Sequence, residues 1–347
     1  MTDGQAVMRR ALTLAAQGPL ADPNPRVGAV ITAADGRPVG EGFHRGAGTP
    51  HAEVEALSAA GRAAAGGTAW VTLEPCNHTG RTGPCAEALL AAGVARVVYG
   101  QDDPNPHAAG GAARLRAAGV AVQGGVLAEQ AQALNRAWTF AVTRDRPWVV
   151  WKFAATLDGR SAAADGTSQW ITGPDARADT HVLRAQSGAV LVGAGTVAVD
   201  NPSLTARRPD GTLLERQPLR VVMGRRVLGD AARVFDDSAP SLHLREHDPA
   251  GALRVLFDEG VRQVLLEGGP TLAGAFLAAG LVDEVVAYLA PALLGSGPSA
   301  VGNLGVTTID ETLRLHRHEV TTLGPDIRIR ATTSRDEQER HATCSQE

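Results

Sequence analysis

Short runs of Val, Ile and Leu alternate with Ala- and Arg-rich stretches of helical spacing along nearly the whole chain, the pattern of strands and helices taken in turn. In the first part, RVGAVITAADG, TAWVTLEPC, ARVVYGQDDPNP and GVAVQGGVL predict strands, bounded by Gly, Pro, Asn and Asp. HAEVEALSAAG sets Ala52, Ala56 and Leu57 at helical spacing and stops at Gly61, so His51 and Glu53 are expected in the first turn of a helix. A second helix is expected to open at Pro84 and run through Cys85, Ala86, Leu89 and Leu90, since proline at a helix start forfeits no hydrogen bond. TRDRP interrupts the alternation with charge and proline. It resumes as WVVWKFAATLDG, SGAVLVGAGTV, LRVVMG, VRQVLLEGG and VDEVVAYLAPALLG, with helical stretches DARADTHVLRAQ and PTLAGAFLAAG between them. Two α/β units are predicted, residues 1–145 and 146–332. Residues 333–347 are polar and lack periodicity, the composition of a disordered tail.

Length supports the division, because 347 residues exceed the size at which a single hydrophobic core stops growing. The formal net charge of −4 and the scarcity of aromatic residues give no extended basic face for nucleic acid. No stretch approaches the roughly twenty apolar residues of a membrane span. The expectation is a soluble cytoplasmic protein with small-molecule partners, neither nucleic acid nor membrane among them, and a homodimer as the oligomer. Three cysteines without a secretory leader argue against a disulfide framework, and the third, Cys344, lies in the polar tail.

The remaining two cysteines change the picture. His51, Cys76 and Cys85 form a set of one imidazole and two thiolates, which suits tetrahedral Zn²⁺ and leaves a fourth position open, as in a catalytic site. An ion held in this way makes water nucleophilic near neutral pH. Glu53, two residues after the histidine, is left as the proton carrier. H-x-E with a downstream Pro-Cys is the signature of zinc-dependent nucleobase deaminases, in which the Glu is a general acid/base and not a ligand. The common form has two residues between the cysteines; here Asn77 to Pro84 intervene, so the second thiolate must return through a longer loop.

Further motifs extend the reading over most of the chain. DPNPRVGAV, GEGFHRGAGTPHAEVEAL, VTLEPCNHTGRTGPC and QDDPNP, followed by KFAATLDGR, SQWITG, LRAQS, GAGTVAVDNPSLTAR and EGGPTLAGAF, resemble one family. It comprises the bifunctional riboflavin-biosynthesis proteins that join a diaminohydroxyphosphoribosylaminopyrimidine deaminase to a 5-amino-6-(5-phosphoribosylamino)uracil reductase. The resemblance implies a cytidine-deaminase-like α/β/α domain, a dihydrofolate-reductase-like α/β domain, and Zn²⁺ and NADPH as cofactors. For the deaminase it implies Glu53 as the acid/base that serves each proton transfer while water adds to the amine-bearing ring carbon. Asn24 then looks like a substrate-orienting amide, and His44, His78 and Arg81 look suited to the ribose phosphate.

For the reductase, VLLEGGPTLAGAFL has a strand expected to end at Glu267, two glycines and a helix starting at Pro270, whose N-terminal amides can hold a phosphate. GAGTV is expected to form a second close-approach loop. The resemblance places Ala154, Trp170, Thr196, Asp200 and Gly269, Pro270, Thr271, Leu272, Ala273, Gly274 and Ala275 around NADPH. It places Ser168, Arg184, Leu204, Arg207 and Glu267 on the substrate, with the two arginines as phosphate partners. Lys152, Asp200 and Glu267 are the titratable candidates for proton delivery. Gly224-Arg225 departs from the family's habit of an acidic and a small hydroxyl residue after this strand, and Arg225 is expected to clasp the 2′-phosphate of NADPH. The alternative reading is a zinc cytidine or tRNA-adenosine deaminase with an unrelated C-terminal domain.

Overall fold

The computed structural model of the chain describes residues 4–79, 83–229 and 231–333. Arg81 and the tail after Thr333 lie outside the described residues; Thr333 itself closes the last strand. The chain divides into two compact units that meet in sequence between Asp145 and Arg146.

The first unit comprises α1 (Gly4–Ala15), β1 (Gly28–Thr32), β2 (Pro38–Phe43), α2 (Ala52–Ala60), β3 (Thr68–Leu73), α3 (Cys85–Ala91), β4 (Arg96–Gln101), α4 (Gly111–Ala117), β5 (Ala121–Gln123), α5 (Ala128–Leu134) and α6 (Arg136–Arg144). Its five-stranded sheet runs β2-β1-β3-β4-β5, antiparallel between β2, β1 and β3 and parallel from β3 to β5. Every residue of β1 is buried, as a strand covered on both faces requires. Ala29 and Ile31 join one cluster with Ala52 and Ala56 of α2 and Leu89 of α3. Val30 points the other way, to Met8, Ala11 and Leu14 of α1. The alternation of a single strand thus builds an α/β/α layering. Gly42 allows α2 to lie against β2, because a Cβ there would stand 2.6 Å from the Ala52 carbonyl oxygen. That contact seats the helix start bearing His51 and Glu53.

The second unit comprises β6 (Trp148–Thr156), α7 (Pro174–Ala185), β7 (Ala189–Gly193), α8 (Ala194–Asp200), β8 (Leu219–Met223), β9 (Ser241–Leu244), α9 (Pro249–Asp258), β10 (Gln263–Leu266), α10 (Pro270–Ala278), β11 (Glu284–Ala290), β12 (Leu315–Leu323) and β13 (Asp326–Thr333). The eight-stranded sheet runs β12-β13-β11-β6-β10-β7-β8-β9, parallel from β11 to β9 and closed by an antiparallel pair at the other end. α9 and α10 cover one face with Leu253, Leu256 and Phe276, all fully buried over Trp151, Leu191 and Val221. At roughly 25 cal/mol per Å² of apolar surface removed from water, such side chains contribute about 2 kcal/mol each. GAGTV is not a loop, contrary to expectation: β7 passes at Gly193 directly into α8, and Gly195 has nothing within 4 Å of a would-be Cβ. Among the described residues, none crowds a side chain at this position.

Candidate active sites

In the first unit, His51 is the N-cap of α2, Glu53 is in its first turn, and Cys85 is the first residue of α3, with Pro84 as N-cap. Cys76 lies three residues beyond the end of β3, on the loop that leaves the sheet. His51 Nδ1 stands 3.1 Å from Cys85 Sγ and 3.6 Å from Cys76 Sγ, and all three donor atoms fall within 4.8 Å of one another. These separations fit three ligands of one Zn²⁺, and both cysteines are free thiols. The Cys85 amide donates to Cys76 Sγ at 3.4 Å, so the helix start favours a thiolate there. The hydrogen bonds from Cys85 and His51 outweigh burial and hold Cys76 below the ordinary thiol range; Cys85, donating its own hydrogen to Cys76 and buried, is pushed up. Glu53 is 4% exposed. Burial, reinforced by the charge of Cys76, pushes its carboxyl up to about 7, where it gives and takes protons with equal ease.

The expected substrate contacts of this unit divide. Asn24 Nδ2 lies 3.1 Å from His44 Nε2, and the His44 ring sits edge-on to His51, with centroids 5.5 Å apart. His44 is therefore beside the site, but it is buried and engaged at both ring nitrogens, the second facing Pro50 O at 3.1 Å. It is not the exposed phosphate partner expected. His78 is exposed on the loop after Cys76. Glu74 escaped notice in the sequence: its carboxylate accepts from the amides of Asp103, Gly110 and Ala112 at 3.2, 3.2 and 2.9 Å, tying the QDDPNP loop and the start of α4 to the strand exit before Cys76. Gly111 touches that exit directly, since a Cβ on it would stand 1.7 Å from Pro75 O. A carboxylate between a buried strand and Pro-Cys was the available signal.

In the second unit, three strand ends converge. Gly268 and Gly269 after β10, Gly193 to Thr196 after β7, and Gly224 with Arg225 after β8 are ends of neighbouring parallel strands, the edge at which α/β sheets bind ligands. A Cβ on Gly269 would lie 3.5 Å from Thr196 Oγ1, and one on Gly224 would lie 3.2 Å from Ala194 Cβ. Ala154 is half-buried on β6, Asp200 ends α8, and Arg225 is exposed. Trp170 is 69% exposed, with the Arg177 guanidinium 4.6 Å over its ring. α10 begins at Pro270, with Gly269 as its N-cap and Thr271 and Ala275 exposed. Ala273 is fully buried in the core, Gly274 is buried, and Leu272 packs between the core and the Gly193 and Gly268 turns, where a Cβ on Gly268 would stand 2.7 Å from its Cδ2.

β10 stops at Leu266, and Glu267 follows it rather than ending the strand. The carboxylate takes Arg184 Nε at 2.6 Å and Nη2 at 2.8 Å, while Arg184 Nη1 donates to Thr205 O at 3.1 Å. The Arg184 fork is thus occupied and mostly buried, and it is neither a surface charge nor a vacant phosphate partner as it stands. Burial alone would raise Glu267, but the charge and hydrogen bonds of Arg184, with Lys152 and His181, bring it below the usual carboxylate range. Burial lowers Lys152 on β6, against the pull of Glu267; its Nζ lies 5.4 Å from the Tyr288 ring centroid. Arg207 donates through Nε to Thr205 Oγ1 at 3.0 Å and through Nη1 to Gly211 O at 3.0 Å. Leu204 is buried with φ +55°, and Ser168 is half-buried. Arg220, absent from the expected set and fully buried, bonds Ser203 O, Arg233 O, Asp236, Ser238 and Ala239 O, holding the segment that carries Leu204 and Arg207.

Two family models match. Residues 1–101 fit the cytidine and deoxycytidylate deaminase zinc-binding region, and residues 147–329 fit the RibD C-terminal domain, which rules out an unrelated C-terminal appendage. The chain is 52% identical over 306 residues to the riboflavin biosynthesis protein RibD of Mycobacterium tuberculosis strain H37Rv, covering 88% of this chain and 90% of that one. With the Escherichia coli K12 protein of the same name the identity is 42%, over 92% and 96%. The solved structure of Acinetobacter baumannii RibD superposes with TM-score 0.88 at 40% identity, covering 95% of this chain and 99% of that one. A Thermotoga maritima structure described as a diaminohydroxyphosphoribosylaminopyrimidine deaminase/5-amino-6-(5-phosphoribosylamino)uracil reductase gives 0.86 at 34%, covering 95% and 98%. Both folds, cytidine-deaminase-like and dihydrofolate-reductase-like, follow from these likenesses. The chain belongs to the RibD family of riboflavin-biosynthesis proteins and is a bifunctional enzyme, a zinc-region deaminase joined to a reductase.

Proposed function

We propose that the first unit hydrolyses an amine from 2,5-diamino-6-(5-phosphoribosylamino)pyrimidin-4-one, and that the second reduces the ribosyl chain of 5-amino-6-(5-phosphoribosylamino)uracil to the ribityl form with NADPH. The observation that carries the reading is the cluster of His51, Cys76 and Cys85 beside the buried carboxyl of Glu53. Zinc bound by these three residues supplies a Lewis acid that activates water at neutral pH. Glu53 accepts a proton from water and passes it to a ring nitrogen, then takes the proton of the hydroxyl added to the ring carbon and delivers it to the amino group, which leaves as ammonia while the carbonyl forms; a carboxyl poised near neutrality serves each of these transfers. Asn24 orients the pyrimidine. The exposed His78 serves the ribose phosphate, and the family resemblance assigns Arg81, outside the described residues, to the same group.

In the second unit, the starts of α8 and α10 with Thr196, Gly269, Pro270 and Thr271 receive the cofactor phosphates, and Ala154, Trp170, Asp200 and Ala275 line the remaining length. Arg225 takes the 2′-phosphate. NADPH supplies a hydride for the sugar carbon. Lys152, Ser168, Leu204 and Arg207 face the substrate with the Arg184–Glu267 pair, which fixes the charge of that floor. Of the three proton-donor candidates, Glu267 is the weakest acid catalyst, because Arg184 keeps it ionised; Lys152, lowered by burial, is favoured. Incubation of the zinc-loaded chain with the aminopyrimidine ribotide tests the whole sequence. Ammonia should appear without NADPH, and NADPH should be consumed only after deamination; NADPH oxidation preceding ammonia release would reverse the proposed order.

A further inference from the structure

We propose that His44 is a positioning residue of the deaminase site, which fixes the rotation of the Asn24 amide so that its carbonyl oxygen, an acceptor, meets an N–H of the pyrimidine. This rests on the reading of Asn24 as a substrate contact. Pro50 O lies 3.1 Å from His44 Nδ1 and carries no hydrogen, so Nδ1 must donate. In the neutral imidazole, Nε2 then keeps its lone pair and requires a donor. The group 3.1 Å from Nε2 is Asn24 Nδ2, the only end of that amide able to donate. Turning the amide over would set the lone pairs of Oδ1 against those of Nε2. The two ends of an Asn amide are nearly equal in shape, so a hydrogen-bonding neighbour of this kind decides which one faces the site.

The backbone beneath Asn24 is held independently. Its amide donates to Asp22 Oδ1 at 3.0 Å, and the same carboxylate receives the Ala47 amide at 3.1 Å. On the other side, Arg26 N and O are bonded to the Asn135 side chain at 2.9 and 2.9 Å. What these contacts leave free is the rotation of the amide, and His44, 4% exposed and packed edge-on against His51, removes it. The specificity consequence is chemical: a ring with a hydrogen donor at this point is accepted, and one presenting a lone pair there leaves two acceptors opposed.

The test compares kcat/KM for ammonia release from the aminopyrimidine ribotide in the full zinc-loaded chain, with zinc per chain measured in each variant. Asn24→Ala and His44→Phe are each expected to lose roughly tenfold or more, the double variant is expected to fall no lower than Asn24→Ala alone, and His44→Gln, whose oxygen can accept from Asn24, is expected to recover most of the loss. Full activity in Asn24→Ala removes the premise. An impaired Asn24→Ala whose loss multiplies with that of His44→Phe, or a His44→Gln as poor as Asn24→Ala, overturns the tether while leaving Asn24 a substrate contact. Should His44→Phe fail to hold zinc, His44→Gln against Asn24→Ala decides: activity within a few-fold of wild type supports the tether, and equal loss overturns it.

Discussion

Replacing Arg184 with Met should be among the most damaging single changes in the second unit, and its pH dependence should identify the cause. Arg184 and Glu267 are joined by two hydrogen bonds of 2.6 and 2.8 Å, with side chains 15% and 10% exposed. Removing one partner of a buried pair leaves the other uncompensated and costs about 3–5 kcal/mol. Lys152 remains as a cation near Glu267, which argues for the lower end, about 3 kcal/mol. For a unit of this size, each kcal/mol moves the melting point by about 2–4 °C, so a fall of about 6–12 °C is expected. Scanning calorimetry would follow the transition that metal chelation leaves in place. In the wild type, the folded pKa of Glu267 lies below its ordinary value of 4.5. The pair's contribution is then present above that value and is lost as pH falls through the depressed one. In the variant, burial dominates and raises the carboxyl, reversing the linkage, so the deficit should be largest near neutrality and should narrow on acidification. A deficit under about 1 kcal/mol, or one that widens in acid, would refute the reasoning.

Three further outcomes are expected. Glu53→Gln should keep its zinc and its reductase turnover while ammonia release falls by about 10²–10⁴-fold, measured with a coupled ammonia assay; retention of deaminase activity would exclude Glu53 as the proton carrier. Gly111→Ala forces a Cβ to within 1.7 Å of Pro75 O, so the first unit should lose about 1–3 kcal/mol or more, with reduced zinc per chain by elemental analysis. Arg225→Ala should erode the preference for NADPH over NADH by roughly tenfold or more in KM ratios, leaving ammonia release untouched; an unchanged ratio assigns the arginine to solvent.

The metal cluster was legible because its members sit in one short stretch with a distinctive order of residue types. The alternation of strands and helices was legible because each run is long enough to show its period. GAGTV was misjudged as a loop, since Gly, Ala and Thr carry little helical periodicity and its helix, Ala194–Asp200, is only seven residues long. Arg184 and Glu267 were both marked, but not their union, because 83 residues separate them and a cation read alone invites an anionic ligand. His44 was assigned to phosphate for the same reason, whereas Asn24 and Pro50 hold it in the interior. Glu74 and Arg220 stabilise backbone atoms, and hydrogen bonds to main-chain groups leave almost no compositional trace.

Cys76 and Cys85 are joined by short ties at their own backbone, the Cys85 amide to Cys76 Sγ and the Ala86 amide to Cys76 O at 3.2 Å. The two described ends of the segment between them are therefore tied to each other. Substitution at the exposed His78 and Thr79 should alter what the site recognises while the donor geometry stays constant, which makes these positions the natural place to graft new substrate preference onto an unchanged reaction centre.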